Sequence, residues 1–163
     1  MQLVKTKRRM TEAINFFTEG TNFRVRKKRI LRKWIEETAI LEGKISGDVN
    51  FIFCSDSYLL KLNIKYLRHN TLTDVISFPY TAKTGTFSGD IFLSIDRIKE
   101  NSRKFKQPFQ VELLRVMIHG VLHLIGYNDS TEDEKKQMRR KEDQYLSKIL
   151  PTFLTAPVKI KNK

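Results

Sequence analysis

The sequence predicts an α+β fold: a single domain over residues 1–163, with a mixed sheet of about four strands packed against helices, one of them buried. Three observations carry this. Short apolar runs of strand length are interspersed with segments of helical periodicity, without the strict alternation of a parallel α/β fold. A chain of 163 residues with 40% hydrophobic content has enough material for one core and does not have the composition of a disordered segment. One segment, Val116 to Ile125, is apolar except at His119, Gly120 and His123, as expected of a helix sunk in a core.

The elements follow in order. EAINFF, from Glu12 to Phe17, reads as a first short strand closed by Thr18-Glu19-Gly20. From Arg26 to Glu42, apolar residues at Ile30, Leu31, Trp34, Ile35, Thr38 and Leu41 have helix spacing, and Gly43 supplies the stop. DVNFIFC (Asp48 to Cys54) reads as a strand, after which Ser55-Asp56 cap a helix to about Tyr66. TDVISFPY and SGDIFLSI are two further strands joined by a Gly-containing turn. Ile95 to Lys104 and Phe109 to Ile125 are helices. The last helix begins at Ser130-Thr131, where Thr131 and Glu134 form a capping box, and runs to about Leu150. The tail 151–163, PTFLTAPVKIKNK, is expected to be broken by its prolines and frayed. Cys54 is the sole cysteine, which excludes an intramolecular disulfide and a cysteine metal cluster; in NFIFCS it reads as a small buried hydrophobe.

Charge narrows the function classes. The chain carries a net +13, and residues 1–33 hold eleven Lys and Arg against two Glu, densest in RVRKKRILRK from Arg24 to Lys33. A field of that sign concentrates polyanions, and nucleic acid is the commonest of these. No apolar run approaches the roughly 20 residues that span a bilayer. The stretch after the basic N-terminus is too short and too acidic for a signal-peptide core, so a cytoplasmic location and no membrane partner are expected.

The chemistry concentrates in HGVLHLIGYND, from His119 to Asp129. His119 and His123, four apart on a helix, present two imidazoles on one face, the arrangement by which a helix offers two nitrogens to one metal ion. Gly126 stops the helix, and the turn through Tyr127-Asn128 can return Asp129 over the same face. The spacing H-x-x-x-H-x-x-G-x-x-D matches the metzincin frame in its ligand positions and turn glycine, with two departures. Asp129 replaces the third histidine, which zinc tolerates. Gly120 stands where a peptidase carries its glutamate base, so a metal site is expected and peptide hydrolysis is not. His69 is a further candidate to complete the site from a loop.

Three blocks now resemble a known family: LNIKYLRHNTLTDVISFPY (Leu62 to Tyr80), GDIFLSI (Gly89 to Ile95) and HGVLHLIGYND. In order and spacing they are similar to endoribonuclease YbeY, the bacterial rRNA maturation factors, over about Ala13 to Leu150. The resemblance implies an α+β fold with a metal at the floor of a basic cleft. It implies single-strand-specific endoribonuclease activity in maturing the 16S rRNA 3′ end and in ribosome quality control. The implied partners are precursor rRNA and the small ribosomal subunit, and the implied cofactor is one divalent ion, Zn²⁺ foremost, on His119, His123 and Asp129. The family's usual third ligand is His; here it is Asp129. The family pattern L-N-x-x-[YW]-R-x-K-D-x-P-T-[DN]-V places Leu67 at its phosphate-binding arginine, His69 at its lysine, Asn70 at its aspartate and Leu72 at its proline. Arg68, one residue later, is the candidate catalytic substitute, and Asp74 is assigned to organising the turn before the strand. An alternative is a ribosome-associated assembly factor whose metal is structural; a zinc peptidase comes third.

Overall fold

Alternation of inward and outward side chains sets four strands: β1 (Ile14–Glu19), β2 (Ile45–Cys54), β3 (Val75–Pro79) and β4 (Thr86–Ser94). The computed structural model of the chain describes residues 13–80 and 83–155. The four strands form one mixed sheet in the order β1-β2-β4-β3, with β1–β2 and β2–β4 parallel and β3–β4 antiparallel. β2 starts earlier than its apolar run implies, because an irregularity between Ser46 and Val49 lets Ile45 and Ser46 pair with Thr86 and Phe87.

The helices are α1 (Lys28–Leu41), α2 (Asp56–Leu62), α3 (Ile95–Lys104), α4 (Phe109–Ile125) and α5 (Glu132–Thr155). Ser55 caps α2 by accepting the Tyr58 amide, and a π-helical turn, Asn63–Leu67, continues it to Arg68. At the start of α5, Thr131 Oγ1 accepts the Glu134 amide, and Glu134 Oε2 accepts those of Thr131 and Ser130, the capping box that the sequence predicts. The architecture is α+β, as expected, and one face of the sheet carries the main core. Val49, Phe51, Phe53, Ile91 and Leu93 on that face pack with Leu114, Ile118 and Val121 of α4, all fully buried. Trp34 of α1 joins this core and donates its indole N–H to the Tyr145 carbonyl of α5 (2.9 Å). The opposite face carries a smaller cluster of Cys54, Leu59 and Ile76 under α2. Burial pushes the Cys54 thiol up to about 12, so it stays protonated and inert.

α5 does not stop at Leu150. It continues through Pro151 to Thr155, with Phe153 4% exposed in the core and the Lys27 ammonium donating to the Phe153 carbonyl. The helix interior disfavours proline, but burial of Phe153 and that added hydrogen bond oppose the break. Expectations for the basic N-terminal residues 1–12 and the tail 156–163 lie outside the described residues. No single helix among the described residues is long and apolar enough to cross a membrane.

Glu42, just past α1, ties three parts together. Its carboxylate accepts from Tyr127 Oη (2.7 Å), Lys141 Nζ (3.0 Å) and Tyr145 Oη. Burial alone would raise its pKa, but hydrogen bonds from Tyr145, Tyr127 and Lys141 outweigh it and hold the carboxyl below its ordinary 4.5. A depressed folded pKa contributes stability that is present above the unfolded value and lost as pH falls through the folded one. Glu42→Gln is therefore expected to lower urea stability fully at neutral pH, with the deficit shrinking below pH 4.5. A deficit that stays constant down to about pH 3 would contradict this assignment.

Candidate metal centre

α4 lies in the core because its sequence is apolar all round, and its periodicity leaves His119 and His123 one above the other where the core opens. Past Ile125, Gly126 adopts φ +121°, and the amides of Gly126 and Tyr127 both close on the Leu122 carbonyl. That reversal brings Asp129 back over the histidine face. Its Oδ2 lies 3.4 Å from His119 Nε2 and 3.3 Å from His123 Nε2, and the two Nε2 atoms are 3.0 Å apart.

The donor set fits a divalent cation. Ligand atoms about 2.0–2.1 Å from a tetrahedral Zn²⁺ stand about 3.3–3.4 Å apart; two edges of the triangle match and the third is a few tenths of an ångström shorter. Hydrogen bonding gives the same answer. His119 Nδ1 lies 3.1 Å from Glu142 Oε2, and His123 Nδ1 lies 2.9 Å from the Tyr127 carbonyl. With each Nδ1–H donating outward, each Nε2 presents a lone pair inward, and two lone pairs beside a carboxylate repel unless a proton or a cation lies among them. Burial disfavours the charged form of His119, but the hydrogen bond and charge of Glu142, with Asp129 and Asp74 behind it, more than offset this and raise its pKa above 6.5. Protons therefore compete with a metal ion for this ring in acid.

Glu142 was not legible in the sequence as a site residue. It is 6% exposed and accepts from Arg115 Nη1 at 3.2 Å as well as bonding to His119; Arg115 also binds Asp143 at 2.9 Å. The only hint was an acid in α5 at a spacing that faces α4, and nothing but the packed helices reveals that register.

Gly120 explains the missing glutamate. A Cβ there would stand 2.6 Å from Ile91 Cγ2 and 3.3 Å from Ser77 Oγ, whose hydroxyl already donates to the Gly120 carbonyl (3.1 Å). The position faces the sheet at close approach, so a side chain there would meet β4 before it reached the cleft.

The triad forms one wall of a cleft of about 550 Å³, a size typical of ligand sites. Asp74, His69, Ser77, Thr71 and Thr73 share the lining, and among the described residues no Lys or Arg lines it. Asn63 shapes this wall: its Nδ2 donates to the Thr71 carbonyl (2.8 Å) and its carbonyl accepts the His69 amide (3.2 Å). Arg68 is exposed in the left-handed conformation (φ 56°), and its neighbours Leu67 and His69, not Arg68 itself, line the cleft. His69 is in the cleft but outside the three-residue cluster able to hold a metal ion. Asp74 does organise the turn, its carbonyl taking the Ser94 amide and its carboxylate the Asn101 amide group. It also lines the cleft, and burial raises its pKa above 3.8.

The densest basic stretch lies elsewhere. Arg24 and Lys28 line a separate groove with Phe16 and Phe53, and Arg32 stacks on Phe16 and donates to the Ile14 carbonyl. The cations beside the triad come from α5: Lys135, Lys136 and Arg139 line a second groove of about 410 Å³ with His119, Asp129 and Glu142.

A family model for endoribonuclease YbeY matches residues 13–150. An endoribonuclease YbeY of Christiangramia forsetii is 46% identical over 134 residues, covering 82% of this chain and 92% of that protein. Another, from Karelsulcia muelleri, is 50% identical over 133 residues, covering 82% and 93%. The solution structure of TM1509 from Thermotoga maritima superposes with a TM-score of 0.61 at 28% identity, covering 92% of this chain and 99% of that one. With matches of this extent and identity, the resemblance carried by the three sequence blocks extends over residues 13–150: the chain belongs to the endoribonuclease YbeY family.

Proposed function

We propose that this chain is a metal-dependent endoribonuclease of single-stranded RNA, using one divalent ion, Zn²⁺ foremost, on His119, His123 and Asp129. Family membership supports action on RNA phosphodiesters. The observation that carries metal dependence is the triangle of ligand atoms, 3.0–3.4 Å on edge, exposed at the wall of a cleft. Maturation of the 16S rRNA 3′ end, ribosome quality control, association with the small subunit and a cytoplasmic location belong to the same reading.

An ion bound there supplies a Lewis acid facing the cleft. Glu142 and the Tyr127 carbonyl lock the two imidazoles in the tautomer and orientation that aim Nε2 inward. Thr71, Thr73 and Ser77 offer hydroxyls for ribose and phosphate oxygens along the cleft. Arg68, exposed beside the cleft wall, serves as a mobile phosphate contact, a role its long side chain permits and its backbone placement does not enforce.

One observation favours a second reading, a ribosome-associated assembly factor with a structural metal: among the described residues the cleft lining has no Lys or Arg to neutralise a phosphate, and Leu67 holds the family arginine's place. Peptidase chemistry lacks support, since Gly120 faces the sheet and Glu142 is engaged by His119 and Arg115. Unstructured RNA and casein, each incubated with and without chelator, separate the readings. Cleavage of RNA alone, abolished by chelation and restored by Zn²⁺, is the expected outcome, with metal content reduced in Asp129→Ala. An Asp129→Ala protein with full metal occupancy would remove Asp129 from the ligand set.

A further inference from the structure

The two openings beside the metal centre differ in charge. Among the described residues, the cleft on the β3 side is lined by hydroxyls, an amide, His69, Asp74 and apolar groups, without Lys or Arg. The groove on the α5 side is lined by Lys135, Lys136 and Arg139. His119 and Asp129 line both, so the ligand triangle stands where the two meet. The helix register makes the groove continuous with the site. Lys135, Arg139 and Glu142 fall at i, i+4 and i+7, one stripe of α5, and Glu142 is the residue bonded to His119. The cations therefore extend outward from the reacting position along a single helix face. Among the described residues, the side chains of Lys136 and Arg139 have neither a hydrogen bond nor an ion pair, and that of Lys135 has only an exposed contact to Glu132 at 3.3 Å.

We infer that single-stranded RNA crosses the metal centre with a fixed polarity of contacts: its phosphates on one side of the cut follow Lys135, Lys136 and Arg139, and its nucleoside on the other side enters the cation-free cleft. The inference rests on the endoribonuclease reading and adds the backbone track to it. A reacting phosphodiester beside a cleft whose described lining has no Lys or Arg needs more charge neutralisation than an exposed Arg68 gives, and this groove is where the structure supplies it. The three residues are positioning residues that hold the strand.

The test is the salt dependence of binding to a fluorescent single-stranded oligoribonucleotide, with cleavage followed in parallel. The proteins are the wild type, the triple variant Lys135→Gln/Lys136→Gln/Arg139→Gln, and a charge-matched control, Lys99→Gln/Lys104→Gln/Lys148→Gln, at exposed positions outside both linings and outside the basic stretch from Arg24 to Lys33. Each lost phosphate contact on a single strand lowers the slope of log K against log salt by about 0.7, so the groove variant is expected to lose about 2 while the control keeps the wild-type slope. Equal slopes in wild type and groove variant, or equal losses in groove variant and control, overturn the track while wild-type cleavage leaves the endoribonuclease reading standing. A wild type that neither binds nor cleaves RNA overturns both. Circular dichroism and metal content check that the groove variant is folded and loaded. Should it fail either check, Lys136→Gln alone replaces it, with a slope loss of about 0.7 expected and no loss overturning the track.

Discussion

His119→Ala is expected to eliminate RNA cleavage and most bound metal while leaving the domain folded. Losing one of three ligand atoms exceeds the roughly 10–100-fold penalty typical for losing a residue that merely orients a ligand. Glu142→Gln, which weakens only that orientation, should fall within this range. The fold should tolerate His119→Ala because the buried Glu142 carboxylate keeps Arg115 as its partner at 3.2 Å, avoiding the roughly 3–5 kcal/mol cost of an uncompensated buried charge. Metal content, cleavage of unstructured RNA and thermal melting, measured together, check this. A protein that still cleaves RNA but melts at a markedly lower temperature would instead assign the ion to holding the fold, as the assembly-factor reading requires.

Restoring the peptidase glutamate is expected to unfold the protein rather than convert it. Gly120→Glu forces side-chain atoms onto Ile91, which is fully buried, and leaves a carboxylate without a partner. Overpacking and an unpaired buried charge together cost about 4–8 kcal/mol, against about 5–15 kcal/mol of total stability for a typical domain. Gly120→Ala isolates the steric part. Helix propensity alone would favour alanine by about 1 kcal/mol, whereas a 2.6 Å contact with a branched methyl on a rigid strand costs about 1–3 kcal/mol. The clash should win, and urea denaturation should show net destabilisation with no change in the metal-to-protein ratio of the folded protein. A more stable Gly120→Ala would mean that α4 sits farther from the sheet than described.

Much of this site is local and therefore legible in one dimension. Two imidazoles four apart on an apolar helix, a glycine that reverses the chain and an acid three residues later specify their own proximity through helix periodicity and turn chemistry. The capping box at Thr131 and Glu134 is equally local, and the structure has it as expected. Pro151 misleads because a proline rule describes the backbone alone, while Phe153 responds to a core formed by distant residues.

The sequence by itself determined the α+β class, the order of the elements, the bringing together of His119, His123 and Asp129, and the family. The first three depend on periodicity or spacing within a short span, and the family on the resemblance of three blocks between Leu62 and Asp129 to a known one. Only the tertiary structure decided that Glu142 supports His119 across 23 residues of sequence, that Gly120 is a packing glycine against Ile91, and that cations from α5 flank the metal centre while Arg24 and Lys28 lie in another groove. These relations depend on how α4 registers against α5 and against β4. That register comes from the summed packing of side chains far apart in the chain, and no local pattern encodes it.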